Sequence, residues 1–320
     1  MAKKFKGKRS QVKVFLVYMS VMLVCMLIFG AAALFLMDRF VTQPALDRDR
    51  EEQEALGSEQ DSQPLIDYSL YRKTYLFVGA DGQDINAMAL IRFTPDEGGI
   101  EVVPVSGLTL SRVGETSGTL QALYESGGMN YLKSAVESTF SMSCDSYIKI
   151  SNDGWKSLVE YTGGVTSYSF PEELYYKDEE SGELTSFSEG TATRTLWGDD
   201  IRRIMTYPNY SGGEQARLQV IGELTVSLLN NAFTAHAEDV NSNLQNIFNA
   251  IFNNSDTNIT TRSFNDVRPA YEYLLDGGYT SATYRIPRGS YDSNGFFTVD
   301  PEFIAELSEY FGFTEAEPAQ

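Results

Sequence analysis

The sequence predicts an α/β domain behind one transmembrane helix, and two stretches carry that prediction. Residues 119–170 hold an apolar-periodic run 119–124, Gly127-Gly128, a second amphipathic run 129–140, a short strand pattern 146–150, an amphipathic run 152–161, Gly163-Gly164 and the alternating 165–170. The pattern is helix, strand, helix, strand with glycines at the joints, one unit of a layered α/β fold. Residues 14–37 contain no charged side chain, and as a helix they would span about 36 Å, enough to cross a ~30 Å bilayer with some tilt.

The N-terminal tail 1–13 carries Lys3, Lys4, Lys6, Lys8, Arg9 and Lys13 and no acid. A basic flank before the apolar run places the N-terminus in the cytoplasm and the C-terminal body outside the membrane. A cleaved signal peptide is the competing reading. The run is longer than the usual ~7–15-residue apolar region of such a peptide, and Asp38-Arg39-Phe40 offers no small-residue cleavage site, although Ala31-Ala32-Ala33 keeps the alternative open. Of 25 Lys and Arg, those six precede the span, which leaves 19 cations against 44 acids, a net charge of −25. A body so acidic does not bind nucleic acid or anionic lipid through bulk electrostatics, so an anion site must be built from a few local cations.

Residues 38–67 are charged and polar between Pro44 and Pro64 and read as a solvated stalk. The domain then runs over 68–313, with an acidic tail 314–320. A short apolar run 74–78 ends at Gly79-Ala80-Asp81-Gly82 as a buried strand and turn; 87–94 and 99–105 follow as a hairpin around Pro95-Asp96-Glu97-Gly98. Residues 106–118 read as a Gly/Ser/Thr loop, and Lys177 to Gly182 as a hairpin tip. Helices are expected at 199–207, 214–232, 240–252, 263–275 and 301–311, the last with proline at its first position, and strands at 280–286 and 296–299.

Generic chemistry names no enzyme. Cys25 lies in the span, which leaves Cys144 alone outside, without a disulfide partner and read as a small buried hydrophobe. The single histidine, His236, lies between two helices and reads as a surface helix-cap residue, so histidine-rich metal sites are excluded by count. There is no Walker loop, no G-x-G-x-x-G and no G-x-S-x-G.

Short strings in order add what periodicity does not. Leu120-Gln121-Ala122-Leu123-Tyr124-Glu125-Ser126-Gly127-Gly128 is similar to K-L-N-x-A-Y-x-Y-G-G from its leucine onward. Ser146-Tyr147-Ile148, Gly154-Trp155, Leu158-Val159 and Gly163-Gly164-Val165 follow D-x-Y-x-x-V-D-F-x-G-F-x-x-L-V-D-x-L-G-G-V. Through these strings the chain resembles the LytR-CpsA-Psr (LCP) family of bacterial envelope proteins over 74–311. The resemblance implies a three-layer α/β/α domain with a mixed central sheet and a groove for a polyprenyl tail. It also implies magnesium-dependent transfer of polyprenyl-pyrophosphate-linked glycopolymers to peptidoglycan.

The charged motifs of that resemblance depart from its pattern. Gly79-Ala80-Asp81 keeps the aspartate of G-S-D. R-S-D-T-M-x-L becomes Asp84-Ile85-Asn86-Ala87-Met88-Ala89-Leu90, and S-I-P-R-D becomes Pro104-Val105-Ser106-Gly107-Leu108. R-x-x-R-Q-Q becomes Glu214-Gln215-Ala216-Arg217-Leu218-Gln219. Arginine makes bidentate contacts to phosphate that Gly, Asp or Glu cannot reproduce, and reversing its charge repels the substrate. The resemblance implies Asp81 as catalytic carboxylate and magnesium ligand and Arg217 as catalytic cation, with Gln219 as a substrate contact; the remaining cations Arg92, Arg112, Arg202 and Arg203 are the candidates to rebuild the substrate's phosphate site. Two bland readings compete: the arginines as surface or ion-pair residues, and Asp81 as a turn aspartate beside Gly82. The expectation is a membrane-anchored, LCP-like protein with an impaired active site, serving glycopolymer attachment. The alternative is a non-catalytic paralogue that binds lipid carrier, glycan or protein.

Overall fold

Alternation along β1 (Lys73–Asp81) sets the layering. Thr74, Leu76, Val78 and Ala80 are buried on one face, while Tyr75, Phe77 and Gly79 point to the other. A computed structural model describes residues 66–179, 182–277 and 280–312. The expected tail 1–13, the span 14–37, nearly all of the stalk 38–67 and the tail 314–320 lie outside them. Among the described residues no helix is long and apolar enough to cross a membrane.

β2 (Asp84–Thr94) returns antiparallel to β1, with Asp81 opposite Asp84 and a register shift between Gly79 and Ala80. β3 (Gly99–Pro104) pairs antiparallel with β2, as the hairpin pattern predicts. The expected loop 106–118 contains a small hairpin instead, β4 (Leu110–Val113) and β5 (Thr116–Thr119). Its two-residue turn opens with Gly114 at φ 60°, turn chemistry that a reading by hydrophobic runs overlooks. α1 (Leu120–Phe140) is capped by the Thr119 side chain, which accepts from the Ala122 N–H, and it breaks at Gly128. β6 (Ser146–Ile150) lies parallel to β1, and α2 (Asn152–Tyr161) follows at once behind its Ser151 cap. Both have the bounds the sequence pattern predicts.

The expected strand 165–170 does not enter the central sheet. Gly163 and Gly164, at φ 77° and 69°, turn the chain away, and only β7 (Ser169–Phe170) is a strand. Val165, Tyr168 and Phe170 instead pack into a second core with later helices. β8 (Leu174–Lys177) and β9 (Leu184–Phe187) form the expected hairpin, and β10 (Gly190–Thr191) pairs with β7. α3 (Gly198–Met205) and α4 (Gly213–Phe233) follow. The single helix expected at 240–252 is two, α5 (Ala237–Ser242) and α6 (Leu244–Asn253), separated at Asn243 with φ −109° and ψ 10°. Val240 and Leu244 stand four residues apart and both enter the same core, so the apolar stripe runs across the junction and periodicity does not mark the break. β11 (Ser255–Thr257), too short and polar to be read from pattern, adds an antiparallel edge to β6. α7 (Thr261–Gly277) begins with reciprocal bonds between Thr260 and Ser263. β12 (Ser281–Tyr284) runs parallel to β3, β13 (Gly289–Tyr291) pairs with β14 (Phe297–Val299), and α8 (Pro301–Tyr310) starts on its proline behind Asp300.

The central mixed sheet has the order β11-β6-β1-β2-β3-β12. One face packs against α1 and α8 through Leu76, Val78, Met88, Leu90, Leu132 and Phe303. The other carries Tyr75, Phe93 and Ile100 against α4 and α7. The product is the expected sandwich of helices, sheet and helices.

Candidate functional site

On the face toward α2, α3 and α4, the sheet presents Gly79, Ala87 and Ala89. These side chains are too small to fill the layer, and an apolar cavity of about 200 Å³ remains, walled by Phe77, Ile91, Trp155, Leu158, Ile221 and Leu228. Close approach of α2 shapes it: a Cβ on Gly154 would stand 2.8 Å from Ile150 Cγ1 and 2.9 Å from the Asn254 carbonyl. Trp155 donates its indole N–H to the Gly198 carbonyl (3.1 Å), which ties α2 to the start of α3. Asn86, Ser151, Asn152, Arg202 and Thr206 bring polar groups to the cavity wall.

Asp81 sits at the exposed end of β1, where the Asn152 amide donates to its carboxylate (3.0 Å). The start of α1 holds the turn it belongs to. Gln121 accepts from the Ile85 N–H (3.0 Å) and donates to the Gln83 carbonyl (2.8 Å), and the Tyr124 hydroxyl donates to the Gly82 carbonyl (3.2 Å). The Lys149 ammonium lies 5.9 Å from the centre of the Tyr124 ring. The helix–strand framework thus fixes the aspartate turn against the cavity wall.

Arg217, from the first turns of α4, donates to the carbonyls of Asn86 (3.1 Å) and Met205 (3.3 Å), both cavity-lining residues. Its other nitrogens are bound by Glu214, through Nε at 2.7 Å and Nη2 at 2.6 Å. Glu214 Oε1 also accepts from the Ser106 hydroxyl at 2.5 Å. The pair is largely shielded from water, at 18% and 15% side-chain exposure, so the guanidinium faces a carboxylate and not an open anion site. The Tyr291 hydroxyl, raised above its usual pKa first by burial, is pushed further up by Glu214 and partly restored by Arg217.

The other proposed substrate contacts are each bonded to groups of the chain itself. Arg202 lines the cavity, yet its guanidinium is held by Glu183 at 2.7 and 2.8 Å. Arg203 donates to the carbonyls of Asp199 and Leu184 and to Asp200. Gln219 donates to Glu223 (2.8 Å) and Arg112 to the Gly114 carbonyl (3.0 Å). Arg92 is buried at the far end of the sheet, donating to Thr74 (2.9 Å) and the Phe311 carbonyl (2.8 Å). Thr74 stands seven residues before Asp81 on β1, about 23 Å away.

Among the described residues no group of three or more His, Cys, Asp or Glu is arranged to hold a metal. Asp81 with the facing Asp84 provides two carboxylates at one turn. That number suits magnesium when substrate phosphates complete its shell, so the donor set fits a substrate-borne ion and not a protein cage. Sequence reasoning passed over Asn86, Asn152, Trp155 and Ser106 as site residues. Trp155 lies in a string already matched to the family, whereas nothing local marks Ser106 as a partner of residue 214, more than a hundred positions away.

His236 and Cys144 occupy the quiet places expected of them. His236 stands at the N-cap of α5 and Cys144 is buried.

No curated protein matches the chain. Among solved structures, similarity is found to a protein of Eubacterium siraeum described as a transcription regulator, at 18% identity and a TM-score of 0.68, covering 79% of this chain and 96% of that one. TagV of B. subtilis is 15% identical with a TM-score of 0.58, covering 76% and 98%. TagT, solved bound to LI-WTA, is 14% identical with a TM-score of 0.55, covering 79% and 92%. At these identities the likeness shows the shared fold. The family model LytR_cpsA_psr matches residues 101–277, more than half of the chain, from within strand β3 to the end of α7. The chain belongs to the LytR_cpsA_psr family.

Proposed function

We propose that this protein serves the attachment of polyprenyl-pyrophosphate-linked glycopolymers to peptidoglycan, holding the polyprenyl tail in its apolar cavity, with an impaired transfer centre. It is anchored by residues 14–37, with the N-terminus in the cytoplasm and the domain outside the membrane. The observation that supports impairment is the Arg217–Glu214 pair behind the cavity-lining Asn86 and Met205, because a pyrophosphate reaching Arg217 must first displace a shielded, doubly hydrogen-bonded carboxylate. The cavity walls would order the tail and exclude water. Asp81, oriented by Asn152, would hold magnesium together with pyrophosphate oxygens; that ion supplies charge neutralisation for the leaving group. The same pair favours a second reading, a non-catalytic binding or scaffold paralogue.

Turnover of a polyprenyl-pyrophosphate-linked glycan with magnesium separates the two. The expected result is tight lipid binding, slow turnover that Asp81→Ala abolishes, and a gain of about tenfold or more in Glu214→Arg, the scale of one charge-assisted phosphate contact. Binding with no turnover in either the parent or Glu214→Arg leaves the non-catalytic reading. Absence of lipid binding sinks the first reading and leaves the second only with a glycan or protein partner.

A further inference from the structure

The chain has two tryptophans, and they are spent in opposite ways. Trp155 lines the apolar cavity with its indole N–H satisfied. Trp197, at the start of α3, is 46% exposed. Exposing so large an aromatic surface forgoes hydrophobic stabilisation that burial would supply. The ring is not loose. A Cβ on Gly164 would stand 3.3 Å from its Cε3 atom, and the Trp197 backbone N–H donates to the buried Asp200 carboxylate (3.2 Å). Among the described residues its indole N–H has no acceptor.

This ring walls a second cleft of about 320 Å³, completed by Lys156, Glu160, Gly198 and Asp199. Lys156 and Glu160 lie one turn apart on α2, on the side away from Trp155 and Leu158, so the helix separates this cleft from the apolar cavity. Gly198 lets the two helices touch, since a Cβ there would come within 2.7 Å of Lys156 Cα. Lys156 pairs with Asp199 at 3.2 Å, which fixes one ammonium and one carboxylate beside the indole.

We propose that this cleft is a binding site for an uncharged pyranose of a glycan chain, separate from the cavity and independent of the reading given to it. A pyranose has C–H faces that stack on an aromatic ring and a rim of hydroxyls that both donate and accept. Trp197 matches the face; Glu160 and Asp199 accept from the rim, and Lys156 donates to it. One cation against two carboxylates disfavours phosphate and other anions. A purely apolar ligand would strand the charged groups without partners. The Lys156–Asp199 pair offsets one carboxylate, which weakens the competing choice of an organic cation over the ring.

The test is titration of the full-length protein with the N-acetylglucosamine tetramer, followed by calorimetry and tryptophan emission. The expected result is saturable binding with a shift in emission, weakened about tenfold or more in Trp197→Ala, as expected for loss of an aromatic platform. Trp197→Phe, which keeps an aromatic face, should retain most of the affinity. Lipid binding and the circular dichroism spectrum should be unchanged in Trp197→Ala, so that a lost cleft is distinguished from a lost fold or a failed cavity. The proposal is overturned if the parent does not bind the tetramer, if Trp197→Ala binds it equally well, or if choline binds the cleft and the sugar does not.

Discussion

A carboxylate at position 214 reaches two nitrogens of Arg217 and the hydroxyl of Ser106, and this small network stands behind Asn86 and Met205 of the cavity wall. Buried ion pairs contribute little net stability, yet removing one partner leaves the other charge desolvated and exposed to any competing anion. Glu214 is therefore the residue through which the site's preference can be changed. Cys144 shows the opposite case, a reactive group made inert by placement. Burial, with a further push from Glu137, raises its thiol pKa to about 12. At pH 8 the thiol is therefore protonated and unreactive. In the native protein iodoacetamide should leave Cys144 unmodified at pH 8, and denaturant should expose it. Peptide mass mapping reads both states, and rapid native labelling would contradict the burial.

At the scale of elements, the break in α1 concentrates strain in one residue. Gly128 has φ 66° and ψ −159°, a region open essentially to glycine alone. A Cβ there would meet nothing within 4 Å, so the demand comes from backbone conformation and not from crowding. Gly128→Ala should then destabilise the domain by about 1–3 kcal/mol, measured by denaturant or thermal unfolding. An unchanged midpoint would mean that α1 can straighten without cost. The break matters beyond α1 itself, because the half before it carries Gln121 and Tyr124, which hold the Asp81 turn. The half after it carries Leu132, Val136 and Phe140 into the core.

For the whole molecule, acidity sets the response to pH. The Arg72 hydrogen bonds hold the Asp96 carboxyl below its usual pKa of 3.8, against some burial. At Asp200 burial opposes ionisation, but hydrogen bonds from Arg194 and the Trp197 N–H outweigh it and the pKa is again lowered. A carboxylate whose pKa is lower in the folded state contributes stability above its unfolded value, and that contribution disappears as pH falls through the folded value. The unfolding temperature should accordingly drop as pH goes below about 4. Asp96→Asn should reduce that drop while lowering the midpoint at pH 7 slightly, because the Arg72 pair is partly exposed. A variant with the parent's full acid sensitivity would remove Asp96 from the account.

Periodicity and punctuation in the sequence determined the main framework. Ser146–Ile150 and Asn152–Tyr161 are recoverable to the residue, and the Gly127-Gly128 pair marks the break in α1, because these features depend on neighbours within a few positions. The ordered strings around Tyr124, Trp155 and Gly163-Gly164 also point to the family whose model matches residues 101–277. Contacts across long separations were decided only by tertiary structure. Whether 165–170 joins the central sheet, whether Ser255–Thr257 forms its edge, and that Arg202 meets Glu183 and Glu214 meets Ser106 all depend on packing between distant elements. Residues 119–170 are therefore an alternating unit in which three of four elements build the central layers and the fourth turns aside. An arginine in a sequence is a charge in search of a partner. Asp200 for Arg203 and Glu214 for Arg217 follow from helical spacing of three residues, whereas Glu183 for Arg202 is identified only when the folded chain brings the pair within reach.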